Sequence, residues 1–388
     1  VQGRFKRDGS ASAEPEPHGG TDRGSSPQHA QNPGPAPSGG GSERPGRTGV
    51  TAAPIPPAPP KITNSTDPGP RVALRNWRIS TRLVSLLALP VVAATSLGAL
   101  RINDNLDQIQ QLDNMKLLTD MTKQATQLAA ALQDERDQSA GPLAHGASDD
   151  YAVKAVRDKT NRARSSFLEG TQAIGDASDS GKLSGVRDSV VGIATELNNL
   201  SSIRATAYKD PKNSTQTVEA YHRLITHLLS LSQDMAEATS NPEMIQRTRA
   251  LSAFSTAKEY ASEQRAVIAA ALPTIPDTFG NLSENDRQYA QSALESQESE
   301  LDSFRSIYGD GAEDLTKPID QGNPTIESAD TYASRVLKNP SGMRNQDKRG
   351  YKDWVDDDSA KIDQMKKIEG TLLEDMEQKA RELRNASE

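Results

Sequence analysis

Cysteine is absent from the 388 residues, which excludes disulfides, thiol nucleophiles and thiolate metal sites together. Aromatic residues make up only 4% of the chain, so any core is built from Leu, Ile, Val, Met and Ala. That composition suits helix bundles better than sheets, and no run alternates as a strand would. There is no P-loop, no nucleotide-binding glycine string and no HExxH motif. The sequence therefore predicts no cofactor, no metal site and no catalytic residues.

Histidine is scarce too. Of the five, His18 and His29 lie near the N-terminus. His222 and His227 are five apart, a spacing that does not put both on one helix face for a metal. His145 sits at an expected helix end, where it caps, meets the dipole or lines a pocket.

Residues 1–70 hold 14 of the 23 prolines and 12 of the 27 glycines, with Phe5 the only aromatic. Such a stretch buries too little apolar surface to offset its ordering entropy and is expected to be a disordered tail. Its run Pro54–Pro60 reads as an extended spacer. Residues 71–82 form a basic segment carrying Arg71, Arg75, Arg78 and Arg82. Residues 83–101 follow. Leu83–Leu100 is uncharged and long enough to cross a bilayer as a helix that Pro90 would kink. A signal peptide is disfavoured by the length of chain in front. Arginines upstream and Asp104, Asp107 and Asp113 downstream place the tail in the cytoplasm and the rest outside the plasma membrane. Residues 1–82 have a net charge of +5 and the remainder −13. So acidic a domain is not a partner for nucleic acid or anionic lipid, and an anion site on it must be made locally.

From residue 104 to 388 the pattern is helical throughout. Helices are expected from a Ser148 cap to Ile174, from Leu183 to Tyr208, and along a Val218, Tyr221, Ile225, Leu228 stripe ending near Thr239. Asn241-Pro242 opens another. Ser283–Asp286 reads as a capping box before a helix to Tyr308. A loop from Gly309 to Pro324, a short helix over 325–338, a loop from Asn339 to Lys352 and a long last helix complete the chain. The fold class is all-α, an up-and-down array of two packed four-helix bundles.

Two of these helices carry a cation where a core residue belongs. Leu118, Met121, Ala125, Leu128, Leu132, Ser139 and Leu143 recur at three and four, and the same stripe lands on Arg136. Leu251, Phe254, Lys258, Ala261, Arg265, Ile268 and Leu272 repeat the pattern. A buried guanidinium needs a partner, either an internal carboxylate or a bound anion.

The string LQDERDQSAGPLAHG, Leu132–Gly146, resembles the signature of nitrate- and nitrite-sensing domains. The resemblance implies an all-helical sensor in which two arginines from separate helices hold the anion. It maps those roles onto Arg136 and, through the less distinctive QRAVIAAAL, onto Arg265. Glu135, Ser139 and Lys258 are the flanking candidates, and Pro142 departs from the family's apolar residue at that place. The resemblance also implies a homodimer that signals through its terminal helices to a cytoplasmic output domain. That output is often a histidine kinase of a two-component system, and no kinase sequence is present here. Two arginines facing one void would repel each other until an anion drew them together. Two rivals stay open: a helical input domain for another small anion such as a carboxylate, and a structural membrane protein whose arginines are paired internally.

Overall fold

The computed structural model describes residues 78–176 and 183–386. The expected tail and most of the basic segment lie outside the described residues. Among the described residues there is no strand, and ten α-helices account for most of them.

Helix α1 (Ile79–Ala144) runs unbroken through Pro90, for about 100 Å at 1.5 Å per residue. Its first half is long and apolar enough to cross a membrane, and no residue of that apolar window is buried. The hydroxyls there are satisfied within the helix: Thr95 donates to the Val91 carbonyl at 2.8 Å and Ser96 to that of Val92 at 2.7 Å. Hydrocarbon surroundings would demand that internal satisfaction. Burial within the protein begins at Leu112.

Helices α2 (Tyr151–Asp176), α3 (Ser184–Leu197), α4 (Leu200–Thr206) and α5 (Ser214–Ala238) follow. With the second half of α1 they form one four-helix bundle, with the short α4 packed against α5. Helices α6 (Pro242–Ala271), α7 (Glu284–Tyr308), α8 (Ala312–Asp320), α9 (Pro324–Lys338) and α10 (Tyr351–Asn385) make the second. The two bundles pack through α1 and α5 against α6 and α10, as the all-α expectation requires.

Local chemistry explains the element ends, including those that differ from expectation. The Asn241 side chain accepts from the amides of Glu243 and Met244, and Asn323 does the same for Thr325 and Ile326, each with proline as first helical residue. Helix α2 is capped by Asp150, which accepts from the Ala152 amide at 2.8 Å, rather than by Ser148. The single helix expected over 183–208 is broken at Asn198-Asn199, where short amide side chains disfavour helix interiors. Half of the expected capping box forms. Ser283 accepts from the Asp286 amide, but the Asp286 carboxylate turns away to cap α5 at Ser214 and Thr215. The expected loop at 309–324 contains α8, entered through Gly309 and Gly311 at φ +76° and +88°.

The apolar core has two parts. The larger gathers Leu128, Leu132, Phe254, Phe304 and Met376. The smaller gathers Ala140, Tyr208, Ile268, Val336 and Trp354. On α1 the first ends at Leu132 and the second starts at Ala140; on α6 the change falls between Ala261 and Ala266. A polar layer fills the gap, crossing the central helices between two apolar cores.

Candidate functional site

Arg136 and Arg265 both lie in that layer, with 0% and 1% of their surface exposed. The helical stripes aim them inward from α1 and α6, and their guanidiniums converge on one carboxylate. They do not face an empty void, because Asp137 lies between them. Arg136 Nε donates to Asp137 Oδ1 at 2.8 Å, and Arg265 Nε donates to Asp137 Oδ2, also at 2.8 Å. The Ser262 hydroxyl donates to Oδ2 as well.

The other nitrogens are also engaged. Arg136 forms a two-pronged pair with Glu259, Nη1 to Oε2 at 2.9 Å and Nη2 to Oε1 at 2.8 Å. Nη2 also donates to the Ser262 hydroxyl at 2.9 Å. Arg265 donates to Ser359 Oγ on α10 at 3.0 Å and to Asp134 Oδ1 at 3.1 Å. Two aromatic donors fasten the backbone behind the pair. The Tyr208 hydroxyl donates to the Arg136 carbonyl at 2.8 Å, and Trp354 Nε1 donates to the Arg265 carbonyl at 3.0 Å. Tyr208 reaches in from a left-handed backbone, φ 55°.

Electrostatics follow from this arrangement. Burial opposes the charge on Arg136, but Glu259 and Asp137 more than offset it and raise its pKa well above the ordinary value. Burial is likewise overcome at Arg265, by Asp137, Asp134 and Asp358. Burial would raise Glu259, yet Arg136 and His222 bring it below the usual carboxylate range. Burial pushes the Asp358 carboxyl up to about 7, against the pull of Lys361 and Arg265.

The flanking candidates divide. Glu135 is fully buried but faces the first bundle, bonding Arg204 Nη2 at 2.6 Å and the Tyr221 hydroxyl at 2.5 Å, and it bonds to neither arginine of the pair. Lys258 does not snorkel. It is buried, 3.1 Å from Glu369 Oε1 and 2.8 Å from Gln133 Oε1, and Gln133 leads on to Glu259 at 3.3 Å. Ser139, one turn beyond Arg136, is buried with its hydroxyl unpartnered. His145 joins the end of α1 to α6 through the Leu272 carbonyl at 2.8 Å and stacks on Tyr351.

His222 has partners that the spacing to His227 concealed. Its Nδ1 lies 2.7 Å from Glu259 Oε2 and 2.5 Å from Glu263 Oε1, a turn apart on α6. These atoms are the one group among the described residues close enough to share a metal ion. A proton suffices: burial opposes it, but bonding to Glu259 and Glu263 raises His222 to about 10, and Glu259 is also neutralised by Arg136. His227 pairs with Glu196 at 2.8 Å instead.

A family model described as nitrate and nitrite sensing matches residues 127–377. The chain belongs to the nitrate and nitrite sensing family. The match covers all five candidate residues and starts within α1, past its bare apolar half. A solved structure titled "Structure of the NasR transcription antiterminator" has the same fold, with 20% identity, a TM-score of 0.59 and 76% of each chain covered. No curated protein matches the chain.

Within the family string, two further residues now have a physical role. Asp137 follows Arg136 directly, a position that the stripe argument discards because adjacent residues on a helix seldom face one target. Gly141 lies against the Tyr351 ring at the start of α10, where a Cβ would collide with the ring atoms.

Proposed function

We propose that this nitrate and nitrite sensing domain binds nitrate or nitrite between Arg136 and Arg265. The observation that carries the reading is the convergence of two buried guanidiniums, one from each bundle, on one planar pair of oxygens. Nitrate and nitrite present the same planar oxygen pair, and charge-assisted bonds to a guanidinium are among the stronger ones available. The domain is anchored by the apolar half of α1, with the N-terminus cytoplasmic and residues 104–388 outside. Arg78 and Arg82 before the span and Asp104, Asp107 and Asp113 after it support that orientation.

The signal leaves through α1 and α10. Both bond the arginine layer, α10 through Ser359, and both run on to a shared contact at Met115 and Ala380. Ile102, Leu106 and Ile109 on α1 recur at helical spacing and stay at least half exposed, which suits pairing with a second copy in a homodimer. A cytoplasmic output, as in sensor histidine kinases, completes the reading.

A second reading is favoured by the complete set of internal partners. Each arginine already has a carboxylate within bonding reach, so the layer could be a structural ion-pair network. Loss of stability on removing an arginine does not separate the two, since either reading takes a cation from Asp137. Titration of the full chain in detergent with nitrate, nitrite, acetate and chloride does. Saturable binding of nitrate or nitrite, lost in Arg136→Ala, supports the sensor. Absence of binding supports the network, and preference for acetate supports a carboxylate ligand.

A further inference from the structure

We infer that Asp137 is a built-in competitor for the anion site, and that its displacement is the event the ligand triggers. The inference rests on the two-arginine reading above.

The geometry leaves one place for a shared ligand. The Nη groups of Arg136 go to Glu259 and Ser262, and those of Arg265 to Ser359 and Asp134. None of these partners bonds both arginines, although Ser262 also bonds Asp137 Oδ2. Only the two Nε atoms converge, and both end on Asp137. An anion held by both arginines must take the positions of Asp137 Oδ1 and Oδ2. Simple addition is disfavoured, because carboxyl groups already crowd this buried layer and a further uncompensated charge there is costly.

Competition is set by the tether. Asp137 is covalently fixed beside Arg136, so its effective concentration at the site far exceeds that of free ligand. Its carboxylate is also a stronger acceptor than nitrate. Asp137 therefore sets the ligand threshold and excludes weakly bound anions such as chloride. It also ties the two halves of the domain together. Asp137 belongs to α1, the helix with the membrane-length apolar segment, and its Oδ2 holds Arg265 of α6. A ligand that takes its place turns a covalently anchored clasp between α1 and α6 into a freely exchanging one. That gives nitrate a different interaction with two states of the domain, as a switch requires.

The test uses the full chain in detergent, comparing the unaltered protein with Asp137→Asn and Asp137→Ser by calorimetric titration and thermal unfolding in nitrate. Asp137→Asn keeps the volume and removes the charge. The expected result is a lower melting temperature without nitrate, recovery on adding nitrate, and a nitrate Kd at least about tenfold below that of the unaltered chain. Should the variants fold only in nitrate and not in chloride, the inference stands equally. A nitrate response in the unaltered chain with equal or weaker binding by both variants overturns the inference and leaves the two-arginine reading intact. Variants that fold in neither salt overturn it too. No nitrate response in any of the three overturns both.

Discussion

Asp137 Oδ2 accepts from Arg265 Nε at 2.8 Å, so a carboxylate on α1 holds the cation of a helix 128 residues further along. With Asp137 Oδ1 on Arg136, one side chain bridges two guanidiniums from opposite halves of the domain. Ligand recognition and the packing of α1 on α6 therefore meet in the same group.

Removing Glu259's partner should be costly. Arg136→Ala takes the two-pronged partner from Glu259, leaving it His222 and Gln133, and one of two arginines from Asp137, with an expected loss of roughly 3–5 kcal/mol in the absence of ligand. Arg136→Lys should recover only part, because an ammonium cannot span both Glu259 oxygens and Asp137 together. Urea unfolding of the two variants measures this, and a recovery by lysine equal to the original stability would contradict it.

Asp358 makes stability depend on pH. Its carboxyl sits at about 7 in the folded chain against an ordinary 3.8. A carboxyl raised by folding stabilises fully below about 4, and that contribution is lost as pH rises through about 7. The expected slope from this group alone is about 1 kcal/mol per pH unit within that window. Asp358→Asn should flatten the melting-temperature profile between those limits, while an unchanged profile would argue against the assignment.

His222 works in the same direction at higher pH. Glu259 and Glu263 hold it at about 10 against an ordinary 6.5, so its contribution is full below about 6.5 and fades as pH passes 10. His222→Ala should lower the melting temperature at neutral pH by leaving Glu263 without its cation. Adding Glu263→Gln should restore part of the loss, and a double variant as unstable as the sum of the singles would count against the pairing.

Gly141 is held small by a ring. Gly141→Val drives methyls into Tyr351 and should destabilise by about 1–3 kcal/mol. Tyr351→Ala in the same chain should relieve the clash, and a double-mutant cycle of thermal unfolding reads the coupling.

Much of this was legible in the residues. The stripes through Leu128 and Leu132, and through Phe254 and Ala261, identified the two central helices and put Arg136 and Arg265 on their buried faces, and both are buried. Asp137 was not legible, because its reach depends on a side-chain torsion and on Arg265 coming from another helix. Glu259 escaped for a related reason: Lys258 occupies the stripe, and the carboxylate beside it gained meaning only when α1 and α5 packed alongside. Glu135 adjoins an arginine of the pair in sequence, but a step of one residue turns about 100° around a helix and delivers it to Arg204. Helix α8 was hidden by Pro318 and its glycine-framed entry. The break at Asn198-Asn199 shows how a pair of amide residues outweighs an apolar pattern continuing on both sides.

The most direct measurement is nitrate titration of the full chain against its two arginine variants. If one anion is shared, Arg136→Ala and Arg265→Ala should each weaken nitrate binding by at least about tenfold, since each removes a charge-assisted bond worth roughly 1.5–3 kcal/mol. Nitrate affinity unchanged in both variants, with each shown to be folded, would contradict the two-arginine site.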